Sequence, residues 1–262
     1  MKKSNTAGCI LEPMSYLHDL FSLDGKTAIV TGASRGLGRA AAIALSAAGA
    51  DLILVGRDSD SLSETQELLD GNSMIAEADV TSASDRDRVL ASAESVDILV
   101  NNAGIIKRHP VLEYPIEDWD AVIETNLTSV FEWSKAAATL MQANGWGRII
   151  NIASLLSFSG GSFVPAYAAA KGGVAQLTKA MSNELAIHNI TVNAIAPGYF
   201  ETDATSALRA NPDRMRQLLS RIPKGRFGRP DELAGAFVFL ASEASAYMSG
   251  HILTVDGGFN SF

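Results

Sequence analysis

Tyr167 and Lys171 stand four residues apart in a stretch, Pro165–His188, that reads as helix, so their side chains share one face. A phenol with an ordinary pKa of about 10 is a poor base near neutrality, and a neighbouring ammonium lowers that value by stabilising phenolate. Such a pair can exchange a proton with an oxygen that gains charge when hydride reaches a carbonyl carbon. Ser154 follows the apolar run Arg148–Ile152, where a strand end would aim its hydroxyl at the same carbonyl oxygen. Alone, a Tyr-x-x-x-Lys pair is as readily a solvent-facing helix pair without a role, so its meaning depends on its surroundings.

A second constellation lies near the start of the chain. Thr31-Gly-Ala-Ser-Arg-Gly-Leu-Gly38 joins an apolar run to a helical pattern, and the backbone N–H groups of Gly32, Ser34, Arg35, Gly36, Leu37 and Gly38 can face a pyrophosphate at the positive end of that helix. The glycines are more widely spaced than in G-x-G-x-x-G, so a plain glycine-rich turn is the competing reading. The next apolar run, Asp51–Val55, ends in Gly56 and Arg57, where a dinucleotide site reads the ribose. An acidic residue there would repel a 2′-phosphate, whereas Arg57 can pair with it and Arg35 can reach it, which favours NADP(H) and leaves NAD(H) open. Two solvated arginines would look the same. Asp79 and Val80 are placed for adenine, although an Asp there is also an ordinary turn or cap residue.

Positioning these groups requires an alternation of strands and helices, and the chain supplies one. Apolar runs at Thr27–Thr31, Asp51–Val55, Met74–Glu77, Asp97–Val100, Arg148–Ile152, Thr191–Ile195 and Ile252–Val255 predict strands buried on both faces. Helical patterns between them include Leu37–Ala48, with Gly49 as a C-cap, and a segment opened by Pro230 and Asp231. The expectation is an α/β chain with a single doubly wound, Rossmann-type domain: a seven-stranded parallel sheet with helices on both faces. Residues 1–22 read as an N-terminal extension and 23–262 as the catalytic domain. Within it the stretch 199–229, broken by Pro212 and Pro223, reads as a lid.

A chain of 262 residues, 47% of them apolar, can bury a large core. Its net charge of −8 is spread without a basic face, which argues against nucleic acid. A lone cysteine, Cys9, excludes an internal disulfide, and no Cys/His spacing suggests a metal site. No apolar run approaches the length of a membrane span, and Glu12, Pro13, His18 and Asp19 interrupt any signal-like segment. The expected location is the cytoplasm.

From Leu23 to Phe259 the chain resembles the short-chain dehydrogenase/reductases. The resemblance rests on Thr31–Gly38, Asn101-Asn-Ala-Gly104, Asn126, Ser154, Tyr167 with Lys171, and Pro197-Gly198, in that order. It implies that Asn126, Ser154, Tyr167 and Lys171 form the catalytic set, with Asn126 holding a relay water. It also implies that Asn101, Ala103, Gly104, Pro197, Gly198, Tyr167 and Lys171 line the cofactor, and that Thr202 bonds the carboxamide. A homotetramer is expected, with the helices bearing Asn126 and Tyr167 and the last strand at its interfaces.

Segments such as Asn151–Gly161 and Arg221–Gly228 are similar to the sugar-acid members of the family. The run Leu155-Leu-Ser-Phe-Ser-Gly-Gly161 favours 2-dehydro-3-deoxy-D-gluconate or 2-deoxy-D-gluconate as substrate, while Lys107-Arg-His-Pro110 leans towards gluconate acted on at C5. A sugar-acid carboxylate needs a cation, and Arg108 is the candidate to meet it beside Ser154 and Tyr167. Reduction of a 3-oxoacyl thioester is an alternative with the same catalytic residues, and a nucleotide-sensing module without turnover is another.

Overall fold

The computed structural model describes residues 13–261. Cys9 and the first twelve residues of the extension lie outside the described part. The remainder of the extension includes a helix, α1 (Pro13–Phe21), which the strand–helix alternation did not call for.

All seven expected strands are present: β1 (Thr27–Thr31), β2 (Asp51–Gly56), β3 (Ser73–Glu77), β4 (Ile98–Asn101), β5 (Gly147–Ile152), β6 (Ile190–Pro197) and β7 (Ile252–Val255). They form one parallel sheet in the order β3-β2-β1-β4-β5-β6-β7. Between them run α2 (Gly36–Ala47), α3 (Ser59–Gln66), α4 (Ala83–Ala91), α5 (Ile116–Ile123), α6 (Ser129–Asn144), α7 (Pro165–Leu185), α8 (Ser206–Arg209), α9 (Pro212–Leu219) and α10 (Ala234–Ala241).

Successive side chains of a strand point to opposite faces, and the core divides accordingly. Val30, Leu54 and Ile150 pack on one side with Ala41 and Leu45 of α2 and Phe237 of α10. Ile29, Leu99 and Ile149 pack on the other with Trp133, Ala137 and Met141 of α6. Burying both faces is what makes the central strands solid apolar runs, while β3 and β7 at the edges remain partly accessible.

Expected boundaries shift for local reasons. The fourth strand starts at Ile98, one residue after Asp97, whose carboxylate accepts from the Thr27 N–H at 3.0 Å and faces Lys26. β6 extends to Pro197 because β7 pairs with its last residues, Val255 beside Pro197. The helix after β1 is followed by Gly49 at φ +105°. The helix bearing Tyr167 ends at Leu185 and tightens into a 3₁₀ turn over Ala186–His188. The segment opened by Pro230 likewise begins as a 3₁₀ turn and becomes α-helical only at Ala234.

Chain order reverses between β1 and β4, so the loops leaving their carboxyl ends diverge and open a crevice there. The stretch 199–229 reaches the glycine loop at Thr202 and is anchored by an apolar cluster in which Leu218, Ile222 and Phe227 meet Leu155 and Phe259.

Candidate active site

At the β1/β4 reversal the backbone is packed too closely for side chains. Gly32 sits at φ +65°, and a Cβ on it would come within 2.9 Å of Ala103. A Cβ on Gly38 would meet the Gly32 carbonyl oxygen at 2.1 Å. Asn102, which the sequence reading passed over between its two neighbours, fastens the arrangement: its Nδ2 donates to the Thr31 and Gly32 carbonyls, both at 3.0 Å. Thr31 Oγ1 in turn accepts from the N–H groups of Asn102 and Ala103. Its place in the Asn101-Asn-Ala-Gly104 run was the one available signal. Asn101 itself is turned into the core, donating to Ser134 and Asn151, so only its backbone is left for the crevice.

The first turn of α2 has no side-chain cap. Arg39 stiffens the loop before it by donating to the Ser34 carbonyl, and Thr65 Oγ1 bonds the Ala33 carbonyl. A cavity of about 830 Å³ runs past Ser34, Arg35, Gly36 and Arg39 to Thr202, Asp203 and Asp231. Thr202 is thereby brought to the glycine loop, although nothing in the sequence between them predicts it. Leu37 is half-buried behind the loop, against the core.

Arg35 and Arg57 are both highly exposed, and each has only a long ion pair, Arg35 with Asp203 at 3.5 Å and Arg57 with Asp79 at 3.9 Å. Asp58 could have read the ribose as an acid, but it is committed elsewhere. It caps α3, accepting from the N–H groups of Asp60 and Ser61 and from the Ser61 hydroxyl, and those bonds hold its carboxyl below the usual range. Asp79 is likewise held low, chiefly by its bonds from Thr81, and the Val80 carbonyl accepts from the Trp133 indole. An uncapped helix end, a cradle that a Cβ would fill, and two loosely paired arginines fit a phosphorylated dinucleotide.

The residues expected to transfer protons lie just beyond β5, on α7 and in the turn between α5 and α6. Asn126 is fully buried in a π-helical turn, Glu124–Thr128, and clamps the chain after β4: its Oδ1 accepts from the Ile105 N–H and its Nδ2 donates to the Ile105 carbonyl. Pro197 and Gly198 close the other side, with the Gly198 N–H on the Val255 carbonyl. Lys171 is buried, with Nζ donating to the Ile152 carbonyl at 2.5 Å, and its burial brings its pKa down to about 8.

Tyr167 corrects an expectation. Its neighbour Lys171 was to draw its pKa down, but the phenol stays above its ordinary value because burial disfavours phenolate. A hydrogen bond with Ser154 and the charge of Arg108 oppose that rise, while the Lys171 Nζ lies 5.7 Å from the ring centroid and is turned to Ile152.

Arg108 thus has a position near Tyr167, and its flanking cations do not compete for an anion. Lys107 and His109 both pair with Asp118, at 3.3 and 2.7 Å, whereas Arg108 has no ion-pair partner among the described residues. Phe163, which sequence reasoning missed, ties down the His109 end of this segment. It adopts φ +68°, and its carbonyl accepts from the His109 N–H. Among the described residues no cluster of His, Cys, Asp or Glu could hold a metal ion, and no helix is long and apolar enough to cross a membrane.

Residues 32–260 match the family model for enoyl-(acyl carrier protein) reductase. The chain is also 49% identical over 252 residues to 2-dehydro-3-deoxy-D-gluconate 5-dehydrogenase of Bacillus subtilis (strain 168), covering 94% of this chain and 99% of that protein. It belongs to the short-chain dehydrogenase/reductase family.

Two solved members of the family extend the comparison. An Agrobacterium tumefaciens protein assigned as a 2-deoxy-D-gluconate 3-dehydrogenase, with bound NADP, is 46% identical with a TM-score of 0.85, over 93% of this chain and 100% of that one. Gluconate 5-dehydrogenase from Burkholderia cenocepacia J2315, in complex with NADP and tartrate, is 38% identical with a TM-score of 0.87, over 94% of this chain and 99% of that one.

Proposed function

We propose that the protein is an NADP(H)-dependent oxidoreductase acting on a keto or hydroxy group of a sugar acid of the 2-dehydro-3-deoxy-D-gluconate or 2-deoxy-D-gluconate type. The observation that carries this reading is the convergence on Tyr167 of Ser154 and of Arg108, which has no ion-pair partner among the described residues. When bound, NADP(H) supplies or accepts the hydride. Ser154 holds the substrate oxygen, Tyr167 gives or takes its proton, and Arg108 takes the carboxylate. Lys171 passes protons to Tyr167 from a water held by Asn126. Because the Asn126 amide spends both ends on Ile105, its main-chain carbonyl would have to hold that water.

Gly32, Ser34, Arg35, Gly36, Leu37 and Gly38 would cradle the pyrophosphate, with Arg57 and Arg35 on the 2′-phosphate. Asp79 and Val80 would lie at the adenine. Ala103, Gly104, Pro197, Gly198 and Thr202 would lie along the nicotinamide half, together with the Asn101 backbone. Support for the cofactor comes from the NADP-bound relatives and from the commitment of Asp58 to its helix cap.

The lid role of residues 199–229, a cytoplasmic location and a homotetramer belong to the same proposal. The exposed Phe131 and Leu140 on α6 and Ile187 beyond α7 suit an interface between copies, which light scattering would test.

NADPH and NADH assayed in parallel test the reading against 2-dehydro-3-deoxy-D-gluconate, 5-ketogluconate, a 3-oxoacyl thioester and an enoyl thioester. Turnover of the first with NADPH, with a raised KM in Arg108→Ala, is the expected result. Preferred turnover of 5-ketogluconate would move the assignment to gluconate 5-dehydrogenase, and preferred turnover of a thioester would overturn the sugar-acid reading. Intact NADPH binding with no turnover of any of them would leave a nucleotide sensor.

A further inference from the structure

We propose that Ser157 is a positioning residue that sets the distance between the substrate-holding serine and the proton-transfer helix. Its Oγ donates to the Lys171 carbonyl oxygen at 2.7 Å and accepts the Ser154 N–H at 3.3 Å. One hydroxyl thus joins the backbones of two residues of the proposed catalytic set, which lie on different elements.

The chain turns back on itself to allow this. Beyond β5 a 3₁₀ turn over Leu155–Ser157 brings the Ser157 N–H to the Ser154 carbonyl. The Leu156 N–H occupies one lone pair of Ser154 Oγ at 3.1 Å and leaves the Ser154 proton for a substrate oxygen or for Tyr167. The second tie across the same gap, from Lys171 Nζ to the Ile152 carbonyl, fixes a side chain and leaves the Ser154 backbone unheld. Only a short side chain that donates and accepts at one atom can do what Ser157 does, so threonine can replace it and alanine cannot.

The inference rests on the roles proposed for Ser154, Tyr167 and Lys171. Its test compares Ser157→Ala and Ser157→Thr in kcat, in NADPH binding, and in the pH profile of kcat/KM for alcohol oxidation. Loss of the tether lets Ser154 drift from Tyr167 and weakens a bond that favours phenolate. The Tyr167 limb of the profile then moves to higher pH, kcat falls about five- to tenfold, and NADPH affinity is unchanged. Ser157→Thr restores both readouts.

An unmoved profile in a folded Ser157→Ala, or no rescue by threonine, would overturn the proposal. If Ser157→Ala does not fold, Ser157→Cys replaces it, and a smaller shift of the same sign supports the role while no shift overturns it. Tyr167→Phe runs alongside. Retained turnover there overturns the catalytic reading itself, whereas its loss together with an unmoved Ser157→Ala profile removes only the role of Ser157.

Discussion

At the dinucleotide end of the crevice Arg35 and Arg57 are about three-quarters exposed and their ion pairs are long, at 3.5 and 3.9 Å. At the end proposed for proton transfer Lys171 is buried, and desolvation moves the Tyr167 pKa up and the Lys171 pKa down. The first region gets its shape from backbone, Gly32 and Gly38 against the Asn102 amide, and carries its charge on exposed side chains. The second buries Lys171 and half-buries Tyr167, so small displacements change their proton affinity. Binding a fixed anion needs open backbone donors and adaptable cations. Moving a proton needs groups whose pKa the fold controls.

The contrast breaks most severely at Tyr167. Tyr167→Phe keeps the ring and removes the proton, and kcat is expected to fall by a factor of about a thousand with NADPH affinity intact. An active Phe variant would show that the buried end is not the chemical end.

The corresponding change in the other region is Gly38→Ala, whose Cβ would press on the Gly32 carbonyl and the Asn102 amide. It should destabilise the fold by about 1–3 kcal/mol and weaken NADPH binding, read by thermal melting and titration. Unchanged binding would mean that the backbone cradle is not the phosphate site.

A third test uses pH. Lys171 has a folded pKa of about 8 against an ordinary 10.5, so the unfolded chain holds its proton more tightly. The cost of burying the charge is fully present below pH ~8 and is relieved as pH rises towards the unfolded value. Wild type should therefore gain about 2 kcal/mol on Lys171→Met between pH ~8 and ~10. Tyr167, raised above its ordinary value, works in the opposite sense only above pH ~10. A constant difference between the two proteins would mean that Lys171 is more hydrated than its burial indicates.

The smallest effect belongs to the exposed end. Arg57→Ala should raise KM for NADPH about tenfold and leave KM for NADH unchanged. Equal effects on both cofactors would place Arg57 away from the 2′-phosphate.

Strand and helix order was readable because β-branched runs buried on both faces look unlike the amphipathic segments between them. All seven runs named from residue pattern occur as strands of one parallel sheet. Tyr167 and Lys171 were readable as a pair because helical spacing is local, and the glycine loop because close backbone approach leaves glycine in the sequence.

Relations between distant segments were not readable. That Thr202 meets the loop at Gly36 depends on how 199–229 folds back. That Asp118 pairs with Lys107 and His109 and not with Arg108 depends on how α5 sits against the segment after β4. The commitment of Asp58 to a helix cap removed an acidic ribose reader that residue type alone would have allowed.

The sequence by itself thus determined the order and kind of elements and which residues carry chemistry, because propensity, periodicity and glycine placement act over a few residues. Only the tertiary structure decided which charges remain unpaired and which way the Tyr167 pKa moves. Burial and pairing are sums over neighbours drawn from the whole chain.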